Sequence, residues 1–340
     1  ANDLSISAGR DITNSGSSLS SGRNMTLSAG RDVSVAATQV EGSRDWGDGN
    51  SSKEVRQLGA SANAGGNLTI DAKRDVAVVA SQVSAAGNGA ITAGENLVVS
   101  SAADEDHVAH KGRRYSRVTD SVTQAASGIS AGSDLAMSAG GDLSATASKL
   151  EAKGDVSLAA GGDMTLASAA DESHFSAKGK HTTRQDDKIT QVATTVTAGG
   201  NASLMTGKDM TLVASQVSAG QDASLIAGGT LNLLAAQDSS YSLYDMKKKG
   251  SFGALKTRHD EVTNVTNVGS QIIAGGGVVL TSVGDQRYQA AKLESGKDLT
   301  ITGGGTITFE GVKDLTQETH TKSNNDEFWT SSKGKGSTDE

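Results

Sequence analysis

Gly161-Gly162-Asp163-Met164-Thr165-Leu166 is one copy of a phrase, Gly-x-Asp/Asn followed by apolar-polar-apolar, that runs the length of the chain. Its acidic or amide position falls at 3, 11, 24 and 32; at 67, 75, 88 and 96; at 134, 142, 155 and 163; at 201, 209, 222 and 230; and at 277, 285, 298 and 306. Each group of four has internal offsets of 8, 13 and 8, and 17 of the 20 positions are Asp or Asn, the exceptions being Thr230, Gly277 and Thr306. Offsets of 8 and 13 together make a period of 21 residues, so each group is two turns of one coil. A fixed period of this length is the signature of a stacked-repeat architecture.

Within a coil, Asp142-Leu143-Ser144-Ala145 and Asp155-Val156-Ser157-Leu158 read as short strands with alternate residues facing inward. A third strand comes from Ser81-Gln82-Val83-Ser84, Ser148-Lys149-Leu150-Glu151 and Ser215-Gln216-Val217-Ser218, which are 67 residues apart. Three strands per coil, turned by Gly and Asp/Asn, predict an all-β fold: a right-handed parallel β-helix, or β-solenoid, with triangular coils of about 21 residues. Stacking places Leu135 over Val156, Met137 over Leu158 and Leu143 over Met164, with Leu143, Val156, Leu158, Leu166 and Leu212 inward. Glycine two positions before the repeated Asp/Asn is assigned backbone freedom at the corner, and the Asp/Asn a left-handed conformation or a hydrogen bond within its own turn. Roughly 10 to 13 coils at about 4.8 Å each predict a monomeric rod on the order of 50–60 Å long.

Composition agrees with a narrow core. The 340 residues include 42 Gly, no Pro, no Cys and 10 aromatics, with 35% hydrophobic residues. Few side chains are available to fill a wide interior. The absence of cysteine removes disulfides, Cys-ligated zinc and thiol catalysis. A net charge of −8, with both signs mixed along the chain, argues against a nucleic-acid partner. No 18-residue apolar run predicts a membrane-spanning helix, and Ala-Asn-Asp-Leu-Ser-Ile-Ser-Ala-Gly at the start has no targeting pattern. The chain opens in mid-repeat and is read as a piece of something longer.

After every second coil the pattern gives way to a polar segment, dividing 1–313 into units 1–66, 67–133, 134–200, 201–276 and 277–313. The segments, at about 43–63, 104–130, 171–197 and 238–273, read as protruding out-and-back strand pairs with basic turns, and 314–340 is a polar C-terminal segment. Whether an arm lies along the solenoid or stands off it is left open.

The coil phrase, the Ala-Ala-Asp-Glu-x-His exit, the Val265-Thr266-Asn267-Val268-Gly269-Ser270-Gln271-Ile272-Ile273-Ala274-Gly275 re-entry and Trp329-Thr330-Ser331-Ser332-Lys333-Gly334-Lys335-Gly336 resemble the haemagglutinin repeats of two-partner-secreted exoproteins. The nearest resemblance is to the second filamentous-haemagglutinin repeat region of contact-dependent growth inhibition exoproteins. That resemblance implies a Gram-negative protein, secreted to the cell surface through an outer-membrane transporter, held partly in the periplasm until a target is engaged. It also implies association with a target cell's outer membrane or lipopolysaccharide, and delivery of a C-terminal toxin carried in the same chain. An adhesin stalk of the filamentous haemagglutinin type is the alternative, and a β-helical polysaccharide-active enzyme a remote one.

For the remote alternative, Asp104/Glu105/Asp106, Asp171/Glu172 and Asp186/Asp187 are the carboxylates to test, since glycosidic cleavage uses a pair. They recur at each coil exit, which points to a structural role, so no catalytic, cofactor or metal residue is assigned and no enzyme activity is expected. His107, His110, His174, His181, His259 and His320 all fall in the polar segments and are read as solvated rather than metal-bound or pH-sensing. A calcium roll needs a nonapeptide period that is absent. Outward Ser144, Ser157, Thr165 and Thr211 are ordinary strand residues rather than a sugar-binding face. The candidate contact residues are the basic turns, Lys111, Arg113, Arg114, Lys178, Lys180, Lys247, Lys248 and Lys249, which could meet anionic headgroups.

Overall fold

In the computed structural model, which describes residues 2–250, 254–326 and 329–335, the chain is a right-handed parallel β-helix carrying a lateral fin. Among the described residues, three parallel sheets of ten, ten and nine strands form the three walls of the solenoid. The coil enters the first wall at strands such as Leu135–Ala139, turns into the second at Leu143–Thr146 and into the third at Lys149–Ala152. The stacking register is the one the period demands: Leu135 lies beside Val156, Met137 beside Leu158 and Leu143 beside Met164. Ten coils at about 4.8 Å make the rod slightly shorter than the expected 50–60 Å, since the five groups of repeat positions give two coils each and no more.

The core is one narrow column enclosed by the three walls, to which the coils add inward side chains from each wall. Each first-wall strand turns its first, third and fifth residues inward, and the third positions stack as Leu27, Ile70, Ile91, Met137, Leu158, Leu204, Leu225 and Leu280, all 0–1% exposed. The fifth position is Ala in most strands and otherwise the small Thr206, Ser282 or Gly303, since the next corner leaves little room. Near the C-terminal end the column accepts one aromatic: Tyr288 is buried, stacks on Phe309 with centroids 4.7 Å apart, and donates its hydroxyl to Gln286 at 2.7 Å.

The corners work differently from the local-turn reading. Each Asp or Asn side chain accepts a hydrogen bond from the backbone N–H of the corresponding residue one coil on, not from its own turn. Along one corner, Asn67 Oδ1 accepts from Asn88 at 2.9 Å, Asn88 Oδ1 from Asp134 at 3.2 Å, and Asp134 Oδ1 from Asp155 at 2.9 Å. The other corner repeats this from Asp75 to Asn96 to Asp142 to Asp163, at 3.1, 3.1 and 2.9 Å. A carboxylate and an amide oxygen serve equally as acceptors, which is why Asp and Asn interchange. The corner glycines are needed for close approach rather than for conformational freedom: a Cβ on Gly94 would sit 2.1 Å from the Lys73 carbonyl oxygen, and one on Gly162 2.1 Å from Asp142 Oδ1. Positive φ falls instead on Ala80, Ala147, Ala214 and Ala290, at the second-to-third-wall corner of coils that carry no hairpin.

At that same corner every second coil sends out a hairpin. The strands are Thr38–Gly47 with Asn50–Leu58, Ala102–Gly112 with Tyr115–Ala125, Ala169–Lys178 with Thr182–Val192, Ala236–Lys249 with Leu255–Val268, and Leu315–Asp326 with Trp329–Lys335. Residues 251–253, 327–328 and 336–340 of the expected segments lie outside the described residues. The hairpins do not stand apart as separate arms. They pair edge to edge into one ten-stranded antiparallel sheet, the fin. Two stacked coils advance about 9.6 Å and one hairpin is two strands, also about 9.6 Å, wide. Consecutive hairpins therefore meet at hydrogen-bonding distance.

Candidate functional site

The fin is a single layer. Apart from Val55, none of its described residues is buried, and none belongs to the hydrophobic cluster of the solenoid. Both faces carry charge, because successive residues of a strand alternate sides. The return strand Leu255–Val268 shows this: Val262 sits opposite Ser242 on one face, whereas Val265 sits opposite Ser239 on the other. Neither face is an apolar band of the kind a lipid-facing barrel wall presents.

What holds a layer without a core is a set of repeated polar links. At its root, Asp104, Asp171, Asp238 and Asp314 accept the backbone N–H groups of Gln57, Gln124, Gln191 and Asn267 at 2.7, 2.7, 2.6 and 2.8 Å. Each link ties one hairpin to the next. The acidic clusters considered as paired catalytic carboxylates thus separate: Asp104 and Asp171 are root links, Asp106 pairs with Arg56 at 2.8 Å, Asp186 with Arg184 at 2.6 Å, and Asp187 with His174 on the opposite face. Higher up, the Phe175 ring lies between the guanidinium groups of Arg117 and Arg184, 5.2 and 5.4 Å from its centroid, and Arg258 covers Tyr244. Such contacts contribute about 0.5–1 kcal/mol each at exposed sites.

The histidines form a second set, and here the reading of solvated side chains is incomplete. His107 faces Asp120 across its hairpin, His174 faces Asp187, and His259 faces Asp245, while His320 meets Asp260 of the neighbouring hairpin. Nδ1 to carboxylate distances are 3.2 Å for His174, 2.6 Å for His259 and 2.9 Å for His320, and His107 is bonded to Asp120 in the same way. Lys53, His107, Asp120, His174, Asp187 and Tyr241 form one cross-strand row. Sequence alone shows that His107 and His174 are equivalent, but the Asp partner is 13 residues away and only hairpin register joins them. Among the described residues no three His, Asp or Glu side chains converge as metal ligands.

The carboxylates raise the imidazole pKa values, through Glu172 and then Asp187 for His174, and through Asp245 and then Glu261 for His259. Asp260 is held below the usual carboxylate range by His320 and Arg258. A raised histidine pKa adds stability that is fully present below the ordinary value of about 6.5 and is lost as pH rises through the folded value. Amide exchange of the hairpin strands should therefore quicken as pH rises from that value to above the folded pKa, after correction for intrinsic exchange. His174→Gln and His259→Gln together should flatten this slope, and an unchanged slope would place its origin elsewhere.

The eight candidate contact residues all lie exposed at the outer rim of the fin, Lys111 and Lys178 as strand residues, Arg113, Arg114 and Lys180 in turns, and Lys247 to Lys249 at the end of the longest hairpin. None has a carboxylate within ion-pairing distance among the described residues. The register brings them together: Lys111, Ser116 and Lys178 are consecutive in one cross-strand row, and the Lys247 N–H donates to the His181 carbonyl at 2.9 Å.

Fold and fin together define a β-solenoid that carries an antiparallel sheet built from its interruptions. The hemagglutinin repeat family matches residues 108–183 and 175–326, and a second family described as haemagglutinin repeat matches 1–44 and 57–112. The chain belongs to the haemagglutinin repeat family, and is a repeat module of a secreted, surface-associated exoprotein of the filamentous haemagglutinin type. No curated protein and no solved structure matches it.

Proposed function

We propose that this region is the part of a secreted exoprotein that touches a target cell's outer membrane, non-enzymatically, as a step in delivering a toxin carried further along the same chain. The observation that carries the reading is the rim: three cationic clusters without acidic partners among the described residues, collected on one edge of an exposed sheet, in a chain whose net charge is −8. An overall negative chain is repelled by an anionic surface, so attraction has to be local, and the rim is where clustered cations supply it. Two-partner export, the transporter it requires and the toxin come from the resemblance of the repeats. The test is charge reversal of Lys111, Arg113, Arg114, Lys178, Lys180 and Lys247 to Lys249 in the full exoprotein. Secretion should persist while binding to target cells and their killing fall together. Loss of cell binding in a protein that never kills would mark an adhesin, and undiminished binding would remove the rim from the function.

A further inference from the structure

The rim is not uniformly basic. It is indented between neighbouring hairpin tips, and two indentations share one residue. The first lies between the second and third hairpins and is lined by Lys111, Arg113, Arg114, Lys178 and Lys180, with Tyr115 and Ser116 at its wall and no carboxylate. The second lies between the third and fourth hairpins and is lined by Lys180, His181, Lys247, Lys249, Arg258 and His259. Its one lining carboxylate, Asp245, is engaged by His259 at 2.6 Å and its Arg258 pairs with Asp260, so the cations left to a ligand here are Lys180, Lys247 and Lys249. Lys180 thus stands on the ridge between them, in the turn that begins at Gly179.

Adjacent tips are two strands apart, so the indentations are separated by about 10 Å. Each offers several N–H donors around a space open to solvent, the arrangement that suits a compact tetrahedral dianion rather than a carboxylate held by one fork. The first is positioned by more than side-chain drift. The short first hairpin ends beside it, Asn50 Oδ1 accepts the Lys111 N–H at 2.9 Å, and the Lys111 stem lies against Gly49, where a Cβ would come within 2.9 Å.

We infer that the rim holds two phosphomonoester subsites bridged by Lys180, and that its ligand is a glycolipid bearing two phosphates about 10 Å apart. This rests on the reading of the rim as the cell-contacting surface and names what it grips. A uniformly anionic membrane would be bound by total charge alone. Paired subsites instead distinguish a bisphosphorylated ligand from a monophosphorylated one at similar surface charge.

The experiment measures sedimentation of the purified chain with vesicles of phosphatidylcholine containing diphosphoryl lipid A, or twice as much monophosphoryl lipid A to match surface charge, or neither. Binding to the diphosphoryl vesicles is expected to be tighter by roughly tenfold or more, and Lys180→Glu is expected to abolish that preference. Lys180→Gln should weaken it to an intermediate degree. Lys153→Glu, an exposed solenoid corner, should leave it intact. Millimolar pyrophosphate should compete, as phosphate in solution fills the same sites. Equal binding to both lipids, equal effects of Lys180→Glu and Lys153→Glu, or no competition by pyrophosphate would each overturn the subsites. If the preference is absent but reversal of all eight charges still abolishes cell binding, the subsites fail while the broader reading stands. If cell binding survives the reversal, the broader reading fails whatever the vesicles show.

Discussion

Leu158→Asp should lower the melting temperature of this protein steeply, and Ser157→Asp next to it should scarcely change it. Leu158 is 0% exposed in the central column, between Met137 below and Leu204 above. Truncating such a leucine costs roughly 2–5 kcal/mol through lost burial and the residual cavity. A carboxylate in its place adds the desolvation of a charge with no partner, in a core where its neighbours Met137 and Leu204 are themselves only 0–1% exposed. The damage propagates, because each coil is stabilised only by its two neighbours. A defect in the sixth of ten coils leaves two shorter stacks rather than one weakened one. Ser157 points outward from the same strand and is exposed, and surface changes of that kind stay within about 0.5 kcal/mol. Thermal melting followed by circular dichroism separates the two. A steep loss for Ser157→Asp with little change for Leu158→Asp would mean that the strand faces are reversed, as a one-residue slip in register would produce, and equal melting temperatures would mean that this strand has no inward face.

Duplicating Asp134–Gly154, one complete coil without a hairpin, should leave the solenoid folded and split the fin. The inserted coil repeats the 21-residue offset by which Leu135 stacks beside Val156, so core column and corner hydrogen bonds continue through it. The second and third hairpins would then leave the solenoid three coils apart, about 14 Å, while the strands between them fill only about 9.6 Å. The pairing of Ser116 with Lys178 through Val122 with Glu172 opens, and with it the link from Gln124 to Asp171. Hydrogen exchange should show the newly unpaired amides of these two strands losing protection down to the level of an open edge, while the amides of the solenoid walls keep theirs. Binding that depends on Lys180 bridging the third hairpin to its neighbours should weaken only on the side of the second hairpin. Retained protection across residues 116–122 and 172–178 would show that the fin pairs independently of coil spacing.

Much of this molecule can be read from local repetition. Coil length, the stacking of Leu135 on Val156, the inward set from Leu143 to Leu212 and the exit of a hairpin after every second coil all follow from chemistry that recurs at fixed intervals. A parallel stack turns a sequence period directly into a spatial neighbour. The basic turns were legible for the same reason, as an exposed hairpin tip is a local feature. The corner ladder was not, although its residues were in plain view: Asp142 looks like a turn residue, and only the next coil, lying against it, shows that its oxygen serves Asp163 and that the glycine at 162 makes way for it. The histidine rows were hidden too, since an imidazole meets its carboxylate only once hairpin register brings His174 opposite Asp187.

The fin itself belongs wholly to the tertiary structure. Nothing within one hairpin says that it will pair with the next. That outcome depends on two lengths set by unrelated parts of the chain, the rise of two coils and the width of two strands, and they agree because the same backbone hydrogen bond, between parallel strands in the solenoid and antiparallel ones in the fin, sets the spacing of both.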